Sequence, residues 1–332
     1  GKRYRFRLLN TAGLNCPITF SIDEHPFTVI ATDGHPIAPV NASSLVISSG
    51  ERWDIILWSN KTNGTYWMKF MGSVDCVKPS SHQFALLEYT DLQETEYHPD
   101  QDILAQMNMK PPYTNSIPPG VQINSLNIAC FKDKICAADL RSLSPLTNDL
   151  TSEKADHTLY LAFQMTFISN KHHYSEKYYS ITKMPKNQRI KSAQTNDLSL
   201  KLPVSPLLTS KHEMPHCNAE SPPNASMCHE DHCECLHMYH LPIGATVDLI
   251  FIDEGKFNNE NHIIHLHGYH FWVLEQYRPE VIDGASITRA KAMEMDQKGL
   301  IKRNLVNPVL KDSVTIPDGG YTIVRLKTIN PG

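Results

Sequence analysis

Along much of this chain hydrophobic and polar residues alternate with a period of two, the pattern of strands that bury one face. Tyr4, Phe6 and Leu8 alternate with Arg3, Arg5 and Arg7. Phe27-Thr28-Val29-Ile30 runs into the turn Thr32-Asp33-Gly34, and Leu45-Val46-Ile47 ends at Ser49-Gly50. Trp53 to Trp58 follows, then a turn at Asn63-Gly64, Tyr66 to Phe70, and Phe84 to Tyr89. Short strands parted by regular turns predict a sandwich or barrel. A second alternating run is Leu159, Leu161, Phe163, Met165 and Phe167, and from Ile243 onward the chain again reads as strand. Residues 290–300 predict one short helix. Ser313 to Ile316, the turn Pro317-Asp318-Gly319-Gly320, and Tyr321 to Leu326 predict a closing hairpin.

Residues 91–155 break this regularity, with Pro111, Pro112, Pro118 and Pro119 marking loops. They read as a domain edge and linker. Residues 169–240 are polar and weakly periodic, a long surface excursion pinned by cysteines. The organisation expected is all-β, in two domains, 1–150 and 151–332. A chain of 332 residues with 41% hydrophobic content can build two cores.

Composition narrows the partners. A net charge of −4, with no basic run interleaved with aromatics, excludes a nucleic-acid surface. No apolar stretch approaches the roughly 18 residues of a membrane span. The eight cysteines form an even set, and sequons stand at Asn41, Asn60, Asn63 and Asn224. Together they point to a secreted, disulfide-bonded protein. Cys16 with Cys76 would staple the first domain, and Cys130 with Cys136 would close a small loop.

The densest chemistry lies at His262-Ile263-Ile264-His265-Leu266-His267-Gly268-Tyr269-His270. Neutral imidazole is a preferred ligand for copper, zinc and iron. On an extended chain His265 and His267 project from one face and suit one metal centre, while His262 faces the other way and suits a second. Gly268 lets the backbone pack tightly behind them. A zinc-hydrolase pattern, His-x-His-x-Asp-His, is approximated by His265, His267 and His270, but Tyr269 stands where it needs Asp. A second cluster holds Cys228, His229, His232, Cys233, Cys235, His237 and His240. In an oxidising compartment these cysteines are read as bridged, which removes their thiolates and makes the cluster the weaker metal candidate.

The segment 262–269 resembles the His-Pro-x-His-Leu-His-Gly-His signature of the multicopper oxidase family. Residues 1–10 (Gly-Lys-Arg-Tyr-Arg-Phe-Arg-Leu-Leu-Asn), 29–34 (Val-Ile-Ala-Thr-Asp-Gly) and 49–54 (Ser-Gly-Glu-Arg-Trp-Asp) are similar to that family's second domain. Residues 299–307, 311–314 and 317–321 are similar to its third domain, especially in insect-type laccases. The likeness thins between about 169 and 226. It implies tandem cupredoxin-like Greek-key β-sandwiches, from an enzyme that oxidises small phenols such as diphenols or catechols and reduces dioxygen to water. The cofactor implied is copper in type 1, type 2 and type 3 centres. Carried over position by position, His262 is the type 1 ligand, His265 the type 2 ligand and His267 a type 3 ligand. No catalytic residue beyond the copper ligands is implied, and His270 falls outside the ligand positions.

Ile263 replaces the family's Pro and Tyr269 its last His, neither a ligand position. The family's first-domain His-Trp-His and His-x-His motifs and its C-terminal His-Cys-His motif have no counterpart in these residues, so the chain reads as a fragment that is inactive by itself. Two alternatives stand beside the laccase reading. One is a metal-ion (ferrous iron) or ascorbate oxidase; Asp253 and Glu254 would orient a phenol hydroxyl or bind ferrous iron, although both read more simply as the polar end of a strand. The other is a non-catalytic secreted protein that keeps the scaffold for binding.

Overall fold

The computed structural model describes residues 1–13, 15–89, 118–127, 130, 132–168, 190–203, 205–207, 209, 215–229, 232–255, 261–279 and 286–329. Pro111, Pro112 and most of the expected linker lie outside these residues, as does the first part of the polar excursion, 169–189. The chain forms two compact units. The first collects residues 1–147, 263–274 and 304–315, and the second 148–262, 275–303 and 316–332.

The first unit is a β-sandwich. Its strands are β1 (Arg3–Leu9), β2 (Ile18–Ile22), β3 (Phe27–Thr32), β4 (His35–Ala42), β5 (Ser44–Ile47), β6 (Arg52–Trp58), β7 (Gly64–Gly72), β8 (Gln83–Tyr89), β9 (Gln122–Ile123) and β10 (Lys134–Ile135). One sheet has the order β1-β6-β3-β4 and the other β10-β9-β5-β2-β7-β8. Successive strands therefore cross between sheets rather than pairing as hairpins throughout. Strand β6 shows why this sequence makes a sandwich: Trp53, Ile55 and Leu57 are fully buried on one face, with Arg52, Asp54 and Ile56 on the other. In β1 only Leu8 of the three alternating hydrophobics is buried, and Tyr4 is 49% exposed. That strand lies at the edge of its sheet, where little covers its first residues.

The Cys16–Cys76 disulfide ties the start of β2 to the segment after β7. The chain must come close there: a Cβ on Gly72 would sit 2.3 Å from the Cys76 carbonyl oxygen. The bond closes a loop across a sequence separation of 60. Its removal in a Cys16→Ser/Cys76→Ser variant is expected to cost about 2–4 kcal/mol, by freeing the unfolded chain. Urea unfolding of oxidised wild type and variant checks this, and a loss below about 1 kcal/mol would contradict it. Cys130–Cys136, Cys217–Cys235 and Cys228–Cys233 are the other bridges.

Further along the chain come β11 (His157–Ile168), β12 (Ile190–Thr195), β13 (Leu198–Leu200), β14 (His216–Cys217), β15 (Cys233–His237), β16 (Thr246–Asp253), β17 (His262–His265), β18 (Phe271–Tyr277), helix α1 (Arg289–Gln297), β19 (Val309–Lys311), β20 (Ser313–Ile316) and β21 (Tyr321–Lys327). The second unit is built on a sheet ordered β14-β15-β13-β12-β11-β16-β21. Strand β16 is buried along its whole length, which explains its nearly unbroken apolar run. Helix α1 lies where the sequence predicts a helix, with the Thr288 hydroxyl accepting the Lys291 N–H. Asp248 of β16 receives Arg325 Nε at 2.6 Å and Arg303 Nε at 2.8 Å. Arg303 also bonds Asp296 of α1, at 2.7 Å, which fastens the helix to the sheet through charge.

The closing hairpin does not form. Strand β20 pairs with β17, and β21 pairs with β16, so the two segments separate after the turn at 317–320. The turn itself forms, with the Gly320 N–H donating to the Pro317 carbonyl at 2.9 Å, but β21 gains more by completing a buried sheet: five of its residues, Tyr321, Thr322, Ile323, Val324 and Arg325, are at most 1% exposed. No helix of the described residues is long and apolar enough to cross a membrane.

Candidate metal centre

Strand β17 places His262 at its start and His265 at its end. The strand then stops, and His267 and Gly268 occupy a turn. His265 and His267 nevertheless come together, with ring centroids 5.0 Å apart and planes at 63°. The expected pairing is thus made by a turn rather than by strand alternation. Gly268 has φ +74°, a backbone conformation that strains other residues and that lets the chain make this turn.

Both rings are exposed and can meet an ion. His265 Nδ1 lies 2.9 Å from the Asp312 carbonyl oxygen and 3.0 Å from Ser313 Oγ. A carbonyl can only accept, so Nδ1 carries the proton and Nε2 keeps its lone pair for a metal. His262 is half-buried, with Nε2 3.5 Å from Asp253 Oδ1 and its ring 6.1 Å from that of Phe163. Asp253 is itself held by the N–H groups of Gly255 and Gly319, at 3.0 and 2.9 Å. That carboxylate faces the Nε2 side of the imidazole. Glu254 accepts the N–H of Arg289, the first residue of α1, at 3.1 Å. Both acids therefore serve the end of β16 and its surroundings. His270 stands outside the pair: its ring lies 4.5 Å from that of His35, and its Nε2 3.9 Å from Asp312. Burial, and then the neighbouring His270, hold the His35 imidazole below the usual histidine pKa. Periodicity gave no signal for His35, which reaches this place through the turn at Asp33-Gly34.

A buried charge network backs His265. Arg52 grips Asp312 through two hydrogen bonds of 2.6 Å and lies 3.3 Å from Asp33. Asp33 Oδ2 accepts the backbone N–H groups of Asp312 and Ser313. Lys311, fully buried, sits 3.0 Å from Asp33 and 3.3 Å from Glu51. Glu51 in turn accepts from Ser48 N and Asn124 Nδ2, at 2.8 and 2.7 Å. Burial raises the Asp312 carboxyl pKa, but hydrogen bonds from Arg52 and Ser313 outweigh it and hold the group at about 2. An ionised carboxylate thus stands 3.6 Å from His265. Burial likewise pushes the Glu51 carboxyl up, against the pull of Lys311. Three sequence segments far apart in the chain, 32–33, 51–53 and 311–313, meet here. The donor set fits copper: imidazole nitrogens, that of His265 presented in a fixed tautomer with an anion behind it.

Two models described as multicopper oxidase match residues 1–91 and 197–332. The chain belongs to the multicopper oxidase family. Copper centres are that family's cofactor. Laccase-1 of Botryotinia fuckeliana is 25% identical over 335 residues, covering all of this chain and 46% of that protein. Laccase-17 of Arabidopsis thaliana is 22% identical, covering all of this chain and 56% of that protein. The chain spans about half the length of the curated relatives it matches. Among solved structures, Fet3p, a multicopper oxidase that functions in iron import, superposes with a TM-score of 0.66 at 15% identity, over all of this chain and 51% of that one. The laccase from Botrytis aclada gives 0.57 at 21% identity, over all of this chain and 48% of that one. These likenesses show the fold, all-β and cupredoxin-like.

Proposed function

We propose that this chain is part of a laccase-type multicopper oxidase, with His262 a ligand of the type 1 copper, His265 of the type 2 copper and His267 of the type 3 pair. The observation that carries this reading is the exposed His265–His267 pair, with His265 fixed by the Asp312 carbonyl so that Nε2 is the free donor. What bound copper would supply is one-electron redox chemistry, coupling oxidation of four phenolic molecules to reduction of one dioxygen to two waters. The residues of this chain present donors, fix the His265 tautomer and hold an anion behind it. The domains proposed are 1–150 and 151–332, each cupredoxin-like. Similarity at 299–307 and 317–321 supports the insect-type subclass. Four exposed sequon asparagines and four disulfides support a secreted protein. Asp253 faces the imidazole of His262 and the N–H groups of Gly255 and Gly319, and Glu254 accepts the N–H of Arg289, so neither acid favours the iron-oxidase alternative over the laccase reading.

The three histidines are an incomplete ligand set, so the 332 residues alone are expected to hold copper weakly and to oxidise no phenol. The gene product extended at both ends is expected to carry the full copper complement and to oxidise catechols with uptake of dioxygen. Copper analysis and oxygen consumption on both forms test this. An extended product without bound copper or oxygen uptake would instead indicate a scaffold used for binding.

A further inference from the structure

We infer that His229, His232 and Glu234 form a separate binding site for a divalent transition metal, Zn(II) or Cu(II), on the disulfide-stapled part of the second unit. One ligand atom from each of the three lies within 4.8 Å of the others. An ion about 2.0–2.2 Å from nitrogen and oxygen donors needs them roughly 3–4 Å apart. Small side-chain rotations therefore close the site. The backbone has already done most of the ordering. The Cys228–Cys233 bridge closes the segment that carries both histidines. Within it, the His229 N–H donates to the His232 carbonyl at 2.7 Å. The two imidazoles stack, with centroids 4.8 Å apart and planes at 30°. Glu234 follows on β15, whose neighbour Ser199 in β13 sets its position, and its Oε1 is 3.5 Å from His229 Nε2. The Cys217–Cys235 bridge and buried Leu198 form the small core beneath.

Bridging the cysteines removes the soft thiolate ligands and leaves two imidazoles and a carboxylate. That set suits Zn(II) or Cu(II) and disfavours Cu(I). Three protein ligands also leave a coordination position open to water or a small anion. Lys201 competes with the ion, its Nζ lying 2.8 Å from Glu234 Oε1. The lysine is 61% exposed on a flexible stem and can leave, so metal entry exchanges one cation for another.

The test is zinc titration of the whole chain, by calorimetry and by competition with a chromophoric chelator. Wild type is compared with His229→Gln, at the exposed ligand, and with Lys201→Ala. His229→Gln is expected to lose one zinc equivalent or bind it at least tenfold more weakly. Lys201→Ala is expected to bind the same equivalent several-fold more tightly, a result that a merely structural role for the cluster would not give. Undiminished zinc binding by folded His229→Gln protein would overturn the inference, and so would an unshifted affinity in Lys201→Ala. Because the histidines 262, 265 and 267 are intact in every sample, their binding cancels from the comparison.

Discussion

Replacing Lys311 with methionine is expected to destabilise the first unit by roughly 3–5 kcal/mol. Methionine keeps most of the side chain's length and its apolar packing, so the loss comes from charge rather than from a cavity. Lys311 is fully buried, with its ammonium near Asp33, Glu51 and the Thr32 hydroxyl and 4.6 Å from the centre of the Trp53 ring. Burial alone lowers its pKa, but the two carboxylates outweigh that and raise it above the ordinary lysine value. Without the ammonium, Asp33 and Glu51 face each other in the interior with one cation fewer. The Glu51 carboxyl, already pushed up by burial, rises further. A carboxyl whose folded pKa lies above its unfolded value costs stability as pH rises past the unfolded value, and costs little below it. The deficit is therefore expected to be smaller near pH 4–5 than at pH 7. Urea unfolding of both proteins at the two pH values measures it. A loss under 1 kcal/mol, or one independent of pH, would show that the network is not held together by this cation. Glu51→Gln added to Lys311→Met is expected to restore part of the loss, because it removes a buried charge left short of its partner.

The other large effect is on metal retention in the complete protein. His267→Gln is expected to abolish phenol oxidation, since it removes a proposed ligand outright. Asp312→Asn is the more informative change. It leaves the backbone carbonyl that receives the His265 N–H, and it removes only the carboxylate charge and half of the Arg52 grip. Partners at this remove from a metal are typically worth 10–100-fold in affinity. Copper retention against a chelator is expected to fall by about that factor in Asp312→Asn, while His270→Gln, outside the proposed ligand set, retains copper as wild type does. Equal losses in these two variants would mean that general disturbance of the surface, not the charge behind His265, sets the affinity.

The buried network also explains why the family resemblance fell where it did. The segments Thr32-Asp33-Gly34, Glu51-Arg52-Trp53 and Lys311-Asp312-Ser313 look unrelated along the chain. In the fold they are one cluster, because each charge is tolerable in the interior only beside the others. Trp53 lies under Lys311, and Asp33 joins Arg52 to Lys311. Ligand chemistry and spacing mark the histidines along the chain, whereas nothing local marks Asp33, Arg52 and Lys311 as the charges that stand behind His265.

The parts legible in the sequence are those governed by neighbours. Strands follow from side-chain alternation, as β6 shows, and α1 falls where residues 290–300 predict a short helix. The histidine motif follows from ligand chemistry and spacing. Tertiary structure decided the rest. It sent β20 and β21 to different partners, although the turn between them looked like a hairpin. It brought His265 and His267 together through a turn, and it drew His35 to His270. Above all it paired Arg52 with Asp312, 260 residues away. The physical reason is common to these cases: whether a buried charge or an apolar strand is stable depends on what covers it, and the covering residues lie far away in the chain.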